Sequence, residues 1–185
     1  MAAVLERRLF TRHEYRTMVR AGILTEDDPV ELIEGEIVRK MPSGPSHASV
    51  VKRLNKILSL LAGDAAIVSV QDPVALDDFS EPEPDLMLLR PQTDFYADSH
   101  PTADVFLVIE VCDTSFAADR EKKVPLYARS GVPEVWLVDL EERRVLVFDG
   151  PANGRYAGER VCRGTDTIAV PGLSGKQLAV RELGL

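Results

Sequence analysis

The apolar segment VFLVIEVC at positions 105–112 constrains the fold more than any other stretch of the sequence. Its apolar residues are mostly β-branched or aromatic and lack helical spacing, which predicts a strand covered on both faces. Glu110 interrupts this pattern. Because an ionised carboxylate loses its hydration when it is buried, Glu110 needs a cation, a strong hydrogen-bond donor or an opening to solvent. The remainder of the chain has to provide one of these.

Local patterns in the first third of the chain predict a helix, a hairpin and a second helix. Thr11 followed by Glu14 is a capping box that starts a short helix. Glu34-Gly35 separates two strand-like pieces and is expected to form the turn of a hairpin. Ser46 is expected to cap the second helix, whose apolar residues have helical spacing and end just before Gly63.

Strands dominate the rest of the sequence. A β-rich stretch at 66–89, which includes DPVAL, precedes the strand that contains Glu110. A helix is expected at 115–131, and further strands and turns follow it. This order predicts an α/β protein with a central mixed β-sheet flanked by helices. Since no linker or internal repeat divides the sequence, we expect one domain over residues 1–185.

Composition and charge narrow the classes of function. Apolar residues make up 45% and charged residues 28%, the balance of an ordinary globular protein. No apolar run is long enough for a membrane span, and the charged N-terminus does not resemble a secretory signal. Cys112 and Cys162 lack C-x-x-C spacing, which predicts reduced core residues of a cytoplasmic protein. A net charge of −8 argues against tight non-specific DNA binding, but an enzyme can still meet phosphates through a metal ion.

Two acidic residues lie at the ends of strands that are expected to be neighbours. Pro84-Asp85 leads into the apolar strand DLMLL, and Glu110 lies near the end of the next strand. Adjacent strands could bring the two carboxylates together, where their repulsion raises their pKa values. A divalent ion such as Mg²⁺ would neutralise the pair, since it takes one or two carboxylates besides phosphate and water.

The helix after Glu110 contains a candidate cation. Asp119, Lys123 and Tyr127 are four residues apart and share one face of the predicted helix. Lys123 is expected to reach the acids, where it would pair with Glu110 and stabilise charge on a phosphoryl oxygen. Lys122 points about 100° away and is expected in solvent, and Tyr127 is expected in the core.

Together these segments resemble the putative restriction endonuclease family, a bacterial, Uma-type family of the PD-(D/E)xK nuclease superfamily. EPEPDLMLL, LVIEVCDTS and DREKKVPLYARSGVPEVWLVDL look like its core motifs, and ELIEGEIVRKMP followed by His47 looks like its N-terminal signature. The resemblance covers roughly residues 10–150. It implies a restriction-endonuclease-like fold and phosphodiester cleavage that depends on Mg²⁺, for which Mn²⁺ can substitute, with DNA as the expected substrate.

The resemblance also implies the residues of the site. The metal-binding acids fall on Asp85 and Glu110. The superfamily's usual lysine, two positions after the second acid, is replaced by Cys112, and the resemblance implies that Lys123 on the following helix takes its place. Glu31 matches an N-terminal acid that often joins such sites. The four candidate catalytic residues are therefore these two acids, Lys123 and Glu31.

Two other classes of function stay open. The chain could be a nucleic-acid-binding or regulatory module that keeps the fold without turnover, which its acidic net charge favours. It could also be a structural homodimer protein in which Glu110 and Lys123 form a buried ion pair. A homodimer would suit an enzyme that cuts two strands, although nothing in the sequence requires one.

Several residues near these motifs have structural interpretations. His47 could contact a phosphate at a helix start, but a capping or packing role is expected. Lys52, Arg53 and Lys56 form a basic patch that is either a solvated helix face or a DNA contact. Asp139 ends an apolar run just before EERR and is expected to be structural.

Overall fold

The computed structural model describes residues 6–185 except positions 26, 43, 100 and 102. The first elements are helix α1 (Arg12–Arg20), strands β1 (Val30–Ile33) and β2 (Glu36–Arg39), helix α2 (Pro45–Ala62), and strands β3 (Ile67–Val70), β4 (Leu86–Leu89) and β5 (Val105–Cys112). A helical segment follows, made of α3 (Phe116–Ala118), a π-helical turn (Asp119–Lys123) and α4 (Val124–Arg129). The last elements are strands β6 (Glu134–Asp139), β7 (Arg144–Ala152), β8 (Arg155–Arg163), β9 (Thr167–Ala169) and β10 (Gln177–Ala179), and a 3₁₀ turn (Val180–Leu183).

Six strands form the central sheet, in the order β3-β4-β5-β6-β7-β8. Strands β5 and β6 are parallel, and each other neighbouring pair is antiparallel. A parallel pair needs a crossover connection, which the helical segment after β5 provides. The predicted α/β architecture with a central mixed sheet is confirmed. Among the described residues, no helix is long and apolar enough to cross a membrane.

Strand β5 is covered on both faces, as its apolar sequence predicts. Leu107, Ile109 and Val111 pack on one face against α2 and the C-terminal strands. Val108 and Cys112 lie on the other face, in an apolar cluster with residues of α4. Because side chains alternate along a strand, Glu110 lies on this second face, towards the helical segment.

The predicted start of α1 and the predicted hairpin are confirmed. The Thr11 hydroxyl accepts a hydrogen bond from the Glu14 backbone N–H, and the Glu14 carboxylate accepts one from the Thr11 backbone N–H. Glu34 and Gly35 have φ values of 50° and 80°. Positive φ at both central residues is what a two-residue hairpin turn of type I′ requires. A Cβ at Gly35 would lie 2.6 Å from Leu9 Cβ, so the close packing of Leu9 also requires glycine here.

Two local predictions are wrong. Helix α2 begins at Pro45 with Gly44 as its N-cap, not at Ser46, because proline has a suitable φ for the first helical position and no N–H to satisfy there. DPVAL forms no strand: the chain between β3 and β4 instead forms a loop, in which Val74 N–H donates to the Pro82 carbonyl. The prolines of this loop cannot donate to a sheet.

The predicted helix after β5 is interrupted by the π-helical turn. Val124 N–H bonds to the Asp119 carbonyl five residues earlier. Pro125 has no N–H, and its ring clashes with the carbonyl four residues before it in an ordinary helix. The turn therefore widens where Pro125 follows it, and it carries Lys123 at its end.

Candidate active site

The four candidate catalytic residues line one cavity of about 230 Å³. Glu31 comes from β1, Asp85 from the position before β4, Glu110 from β5 and Lys123 from the end of the π-helical turn. The cavity lies where the hairpin β1–β2, the start of α2 and the helical segment meet the ends of β4 and β5. The fold thus brings together all four residues that the family resemblance implies.

Lys123 is the cation that Glu110 requires. Its Nζ lies 3.3 Å from Glu110 Oε1, 3.0 Å from Glu31 Oε1 and 3.7 Å from Asp119 Oδ1. The other carboxylate oxygen of Glu31 accepts a hydrogen bond of 3.2 Å from the Glu83 backbone N–H. One lysine therefore faces three buried carboxylates, which leaves an excess of negative charge.

Tyr127 is a second partner of Glu110. Its hydroxyl donates a hydrogen bond of 2.7 Å to Glu110 Oε1. Burial and the nearby Glu110 raise the pKa of Tyr127 well above its ordinary value, so the phenol keeps its proton and remains a donor. The expected core position of Tyr127 is confirmed, and its spacing from Lys123 and Asp119 was the signal that its hydroxyl faces the site.

Asp85 directly precedes β4, the strand next to the one that carries Glu110. Strands β4 and β5 pair Leu86 with Ile109, and Asp85 Oδ2 accepts a hydrogen bond of 2.8 Å from the Val111 backbone N–H. This bond fixes the Asp85 carboxylate beside the strand that carries Glu110. The expectation that the two acids come together at one end of adjacent strands agrees with this geometry.

His47 lines the cavity and contacts Asp85, whereas the sequence predicted a capping or packing role. Its Nε2 lies 3.0 Å from Asp85 Oδ2, and the ring is buried on the first turn of α2. The hydrogen bond with Asp85 raises the pKa of His47, against the lowering influence of burial. The helix is capped by Gly44 instead. Only the place of His47 in the N-terminal signature pointed to the site.

The pKa values of Glu110 and Lys123 are both raised, but for different reasons. Burial raises the pKa of Glu110 to about 8: Lys123 opposes this shift, and the carboxylates of Asp119, Asp85 and Glu31 add to it. Burial alone would lower the pKa of Lys123, but the surrounding carboxylates outweigh it and raise that pKa. Lys123 is therefore a permanent cation, and the acids would gain from a further positive charge.

The carboxylates of Asp85 and Glu110 fit a hard divalent cation such as Mg²⁺. Within the described part of the chain, no hydrogen bond reaches Asp85 Oδ1 or Glu110 Oε2, so each acid keeps one oxygen for a ligand. No three His, Cys, Asp or Glu residues among those described form a metal-binding group. Mg²⁺ does not need a third carboxylate, because it keeps several waters and binds phosphate oxygens.

Cys112 occupies the place of the superfamily's usual lysine without replacing its charge. Its thiol is buried and lies 3.4 Å from Asp119 Oδ2, to which it donates. Burial raises the pKa of Cys112, so the thiol stays neutral. Cys112 and Cys162 are both free and buried, as expected for core residues.

The remaining sequence candidates lie outside the group of acids. Asp139 is buried beside Arg144, whose Nε lies 2.9 Å from Asp139 Oδ2, which agrees with its expected structural role. Lys122 is exposed, as its position on the helix predicts. The basic patch of α2 is also exposed and does not line the cavity; its residues are Lys52, Arg53 and Lys56.

Comparison with known proteins agrees with this fold. A crystal structure of a putative nuclease belonging to DUF820 from Anabaena variabilis is similar to this chain, with a TM-score of 0.72 and 19% sequence identity over 88% of this chain and 94% of that chain. At this identity the likeness establishes the shared fold. No curated protein matches the chain. Residues 13–181 match the Uma2 family, described as putative restriction endonuclease, and the chain belongs to that family.

Proposed function

We propose that the chain is a Mg²⁺-dependent nuclease that hydrolyses phosphodiester bonds in DNA, with Mn²⁺ as a substitute for Mg²⁺. One observation carries the proposal: Asp85, Glu110 and Lys123 line a single cavity at the ends of neighbouring strands. Membership in a family of putative restriction endonucleases supports the same reaction class. The choice of DNA rests on that family description.

Asp85 and Glu110 would hold the ion through their carboxylate oxygens. A bound Mg²⁺ would polarise the phosphate and lower the pKa of a bound water. Lys123 would hold the attacking water or stabilise the charge that grows on a phosphoryl oxygen. Glu31, whose Oε1 lies 3.0 Å from Lys123 Nζ, would position the lysine.

The alternative of a structural ion pair accounts for less of the site. A pair of Glu110 and Lys123 would be neutral, whereas Glu31 and Asp119 add two more buried carboxylates to the same lysine. Burying such charges costs stability unless they are compensated. A metal-binding function explains why the chain keeps them beside an open cavity.

Thermal melting with and without millimolar Mg²⁺ or Mn²⁺ tests the metal site. We expect either ion to raise the melting temperature of the wild type, because a ligand that binds only the folded state stabilises it. Glu110→Gln should abolish this rise. Asp139→Asn is a matched control, since it changes another buried acid at a strand end and should keep the rise. No metal response in the wild type, with Glu110→Gln simply less stable, would make Glu110 a structural ion-pair residue.

Cleavage assays test the reaction itself. Plasmid DNA, single-stranded DNA and RNA are each incubated with the wild type and Asp85→Asn in Mg²⁺. We expect the wild type to cut DNA and Asp85→Asn to leave it intact. Cleavage of RNA alone would contradict the DNA assignment, and binding of Mg²⁺ without cleavage of any of the three would favour the regulatory-module alternative.

A further inference from the structure

The reactive groups lie at the bottom of the cavity. Glu110 and Glu31 are 4% and 5% exposed, and the side chains of Asp85 and Lys123 are 14% and 12% exposed. A phosphate must therefore enter the cavity to reach them. In a duplex, each phosphate belongs to a stiff double helix, and moving one backbone inward costs deformation energy. An unpaired strand can bend into the cavity at far lower cost.

The space inside the cavity is small. The segment before α2 approaches the loop after β5 at one point, where a Cβ added to Gly44 would lie 3.5 Å from Asp113 Oδ2. The cavity volume of about 230 Å³ is no larger than that of a site for one small molecule. A volume of this size suits one nucleotide unit of a single chain and is too small to hold two paired strands.

Two cationic side chains, Arg39 and Lys122, lie at the rim of the cavity on different elements of the fold. Arg39 ends β2 and Lys122 lies on the π-helical turn, and both are exposed and line the cavity. Among the residues that the structure describes, neither forms an ion pair. Lys40, which follows Arg39 in the sequence, is paired: its Nζ lies 2.6 Å from Glu83 Oε2. Such cations suit the phosphates on either side of the one that reacts, which would offset repulsion by the acidic floor.

The same rim carries an exposed apolar surface. Met41 is 60% exposed, and Met41 and Pro42 line the cavity beside Arg39. Apolar side chains such as Met and Pro can contact the faces of bases that are not stacked on a neighbour. In a duplex this contact requires the base pairs to be unstacked, which costs free energy. An unpaired base can offer its face to this surface without that cost.

We propose that this cavity binds an unpaired strand of DNA in preference to a duplex. Arg39 and Lys122 contact the flanking phosphates, and Met41 and Pro42 contact a base. The assignment rests on the proposed nuclease function and specifies the form of its substrate.

Binding is measured by fluorescence anisotropy with the whole chain in Ca²⁺ instead of Mg²⁺. Ca²⁺ accepts irregular oxygen sites, whereas Mg²⁺ demands near-octahedral geometry, so Ca²⁺ can occupy the acids with little turnover. The probes are a labelled single strand of about 12 nucleotides and the same strand annealed to its complement. A denaturing gel confirms that the strand stays intact. The test variant Arg39→Ala/Lys122→Ala is compared with Lys52→Ala/Lys56→Ala, which removes the same charge from the exposed patch of α2.

We expect the wild type to bind the single strand about tenfold more tightly than the duplex. The rim variant should reduce the slope of log affinity against log salt concentration by about 1.4, since each phosphate contact with a single strand contributes about 0.7. The α2 variant should leave the slope unchanged. Equal or tighter duplex binding would overturn the proposal, as would an equal loss of slope in both variants.

Cleavage in Mg²⁺ separates this inference from the proposed reaction. A chain that prefers single strands but cuts no DNA would contradict the nuclease function while the binding preference stands. A chain that binds and cuts duplex as well as it does single strands would keep the nuclease function and overturn the preference.

Discussion

Tyr127 and Glu110 are joined by a buried hydrogen bond of 2.7 Å, which the phenol donates to Oε1 of the carboxylate. Lys123 contacts the same oxygen at 3.3 Å. Both contacts restrict rotation of the Glu110 side chain before any ion binds. A functional carboxylate that is held in this way needs less reordering when it takes a ligand.

Tyr127→Phe removes this hydrogen bond and keeps the ring. We expect a loss of about 1–3 kcal/mol in the free energy of unfolding, because a buried acceptor loses its partner. Mn²⁺ should also raise the melting temperature less than it does in the wild type, since Glu110 is no longer held. Urea unfolding and melting across an Mn²⁺ titration measure the two effects.

Tyr156→Phe is the matched control for that variant. The Tyr156 hydroxyl donates a hydrogen bond of 2.7 Å to the Val132 carbonyl, away from the site. It should lower stability while the Mn²⁺ response stays as in the wild type. Equal metal responses in the two variants would show that Tyr127 only supports the core.

Glu110 should make the metal-free protein less stable as the pH rises. Its pKa is about 8 in the folded chain, against an ordinary value of 4.5. Between these values the folded state holds a proton that the unfolded state releases. The stability that depends on Glu110 is therefore complete below about pH 4.5 and is lost as the pH rises through about 8.

Urea unfolding of the wild type and Glu110→Gln from about pH 5 to about pH 9 measures this loss. Because other titrating groups are shared, the difference in unfolding free energy between the two proteins isolates Glu110. We expect that difference to move against the wild type by on the order of a few kcal/mol as the pH rises. Mg²⁺ should reduce the loss, since it favours the ionised carboxylate. A difference that stays constant with pH would contradict the raised pKa.

Lys123→Met should destabilise the metal-free chain strongly. The change leaves Glu31, Glu110 and Asp119 close together without a cation, and removing one partner of a buried ion pair costs about 3–5 kcal/mol. Mg²⁺ should restore part of this loss. Lys122→Met, at an exposed position on the same turn, should change stability by no more than about 0.5 kcal/mol. Similar losses in the two variants would mean that the acids do not depend on Lys123.

His47→Ala should weaken metal binding with a smaller effect on stability. Its ring contacts Asp85 at 3.0 Å and helps to orient that carboxylate. Loss of such an outer contact typically lowers metal affinity by about 10–100-fold. His47→Gln, which keeps a polar donor, should recover part of the affinity. Isothermal titration with Mn²⁺ measures both, and unchanged affinity in His47→Ala would make the contact merely structural.

Local patterns in the sequence predicted much of the fold and the main acids. Three predictions depend only on neighbours in the chain: the continuous apolar run of β5, the capping box at Thr11 and the hairpin turn at Glu34. Each of them is confirmed. The pairing of Glu110 with Lys123 followed from burial and from the spacing along the next helix. Glu31 entered through the family resemblance alone.

The parts that were missed depend on contacts between distant residues or on competing local signals. His47 and Asp85 are 38 positions apart, so no local pattern marks their contact. Ser46 is a good N-cap by residue type, but the neighbouring Pro45 starts the helix one residue earlier. The spacing of Asp119, Lys123 and Tyr127 predicted a common face, yet it gave no sign that Pro125 would widen the turn.

That wide turn lets the segment hold one residue more than a regular helix would hold between the same neighbours. A π-helical turn contains about one residue more than the α-helical turn that would replace it. In a chain one residue shorter between Asp119 and Lys123, an α-helical turn would put these two side chains three positions apart, where they still share a face. The number of residues between Glu110 and its lysine can therefore differ by one between chains that have the same arrangement of side chains around Glu110.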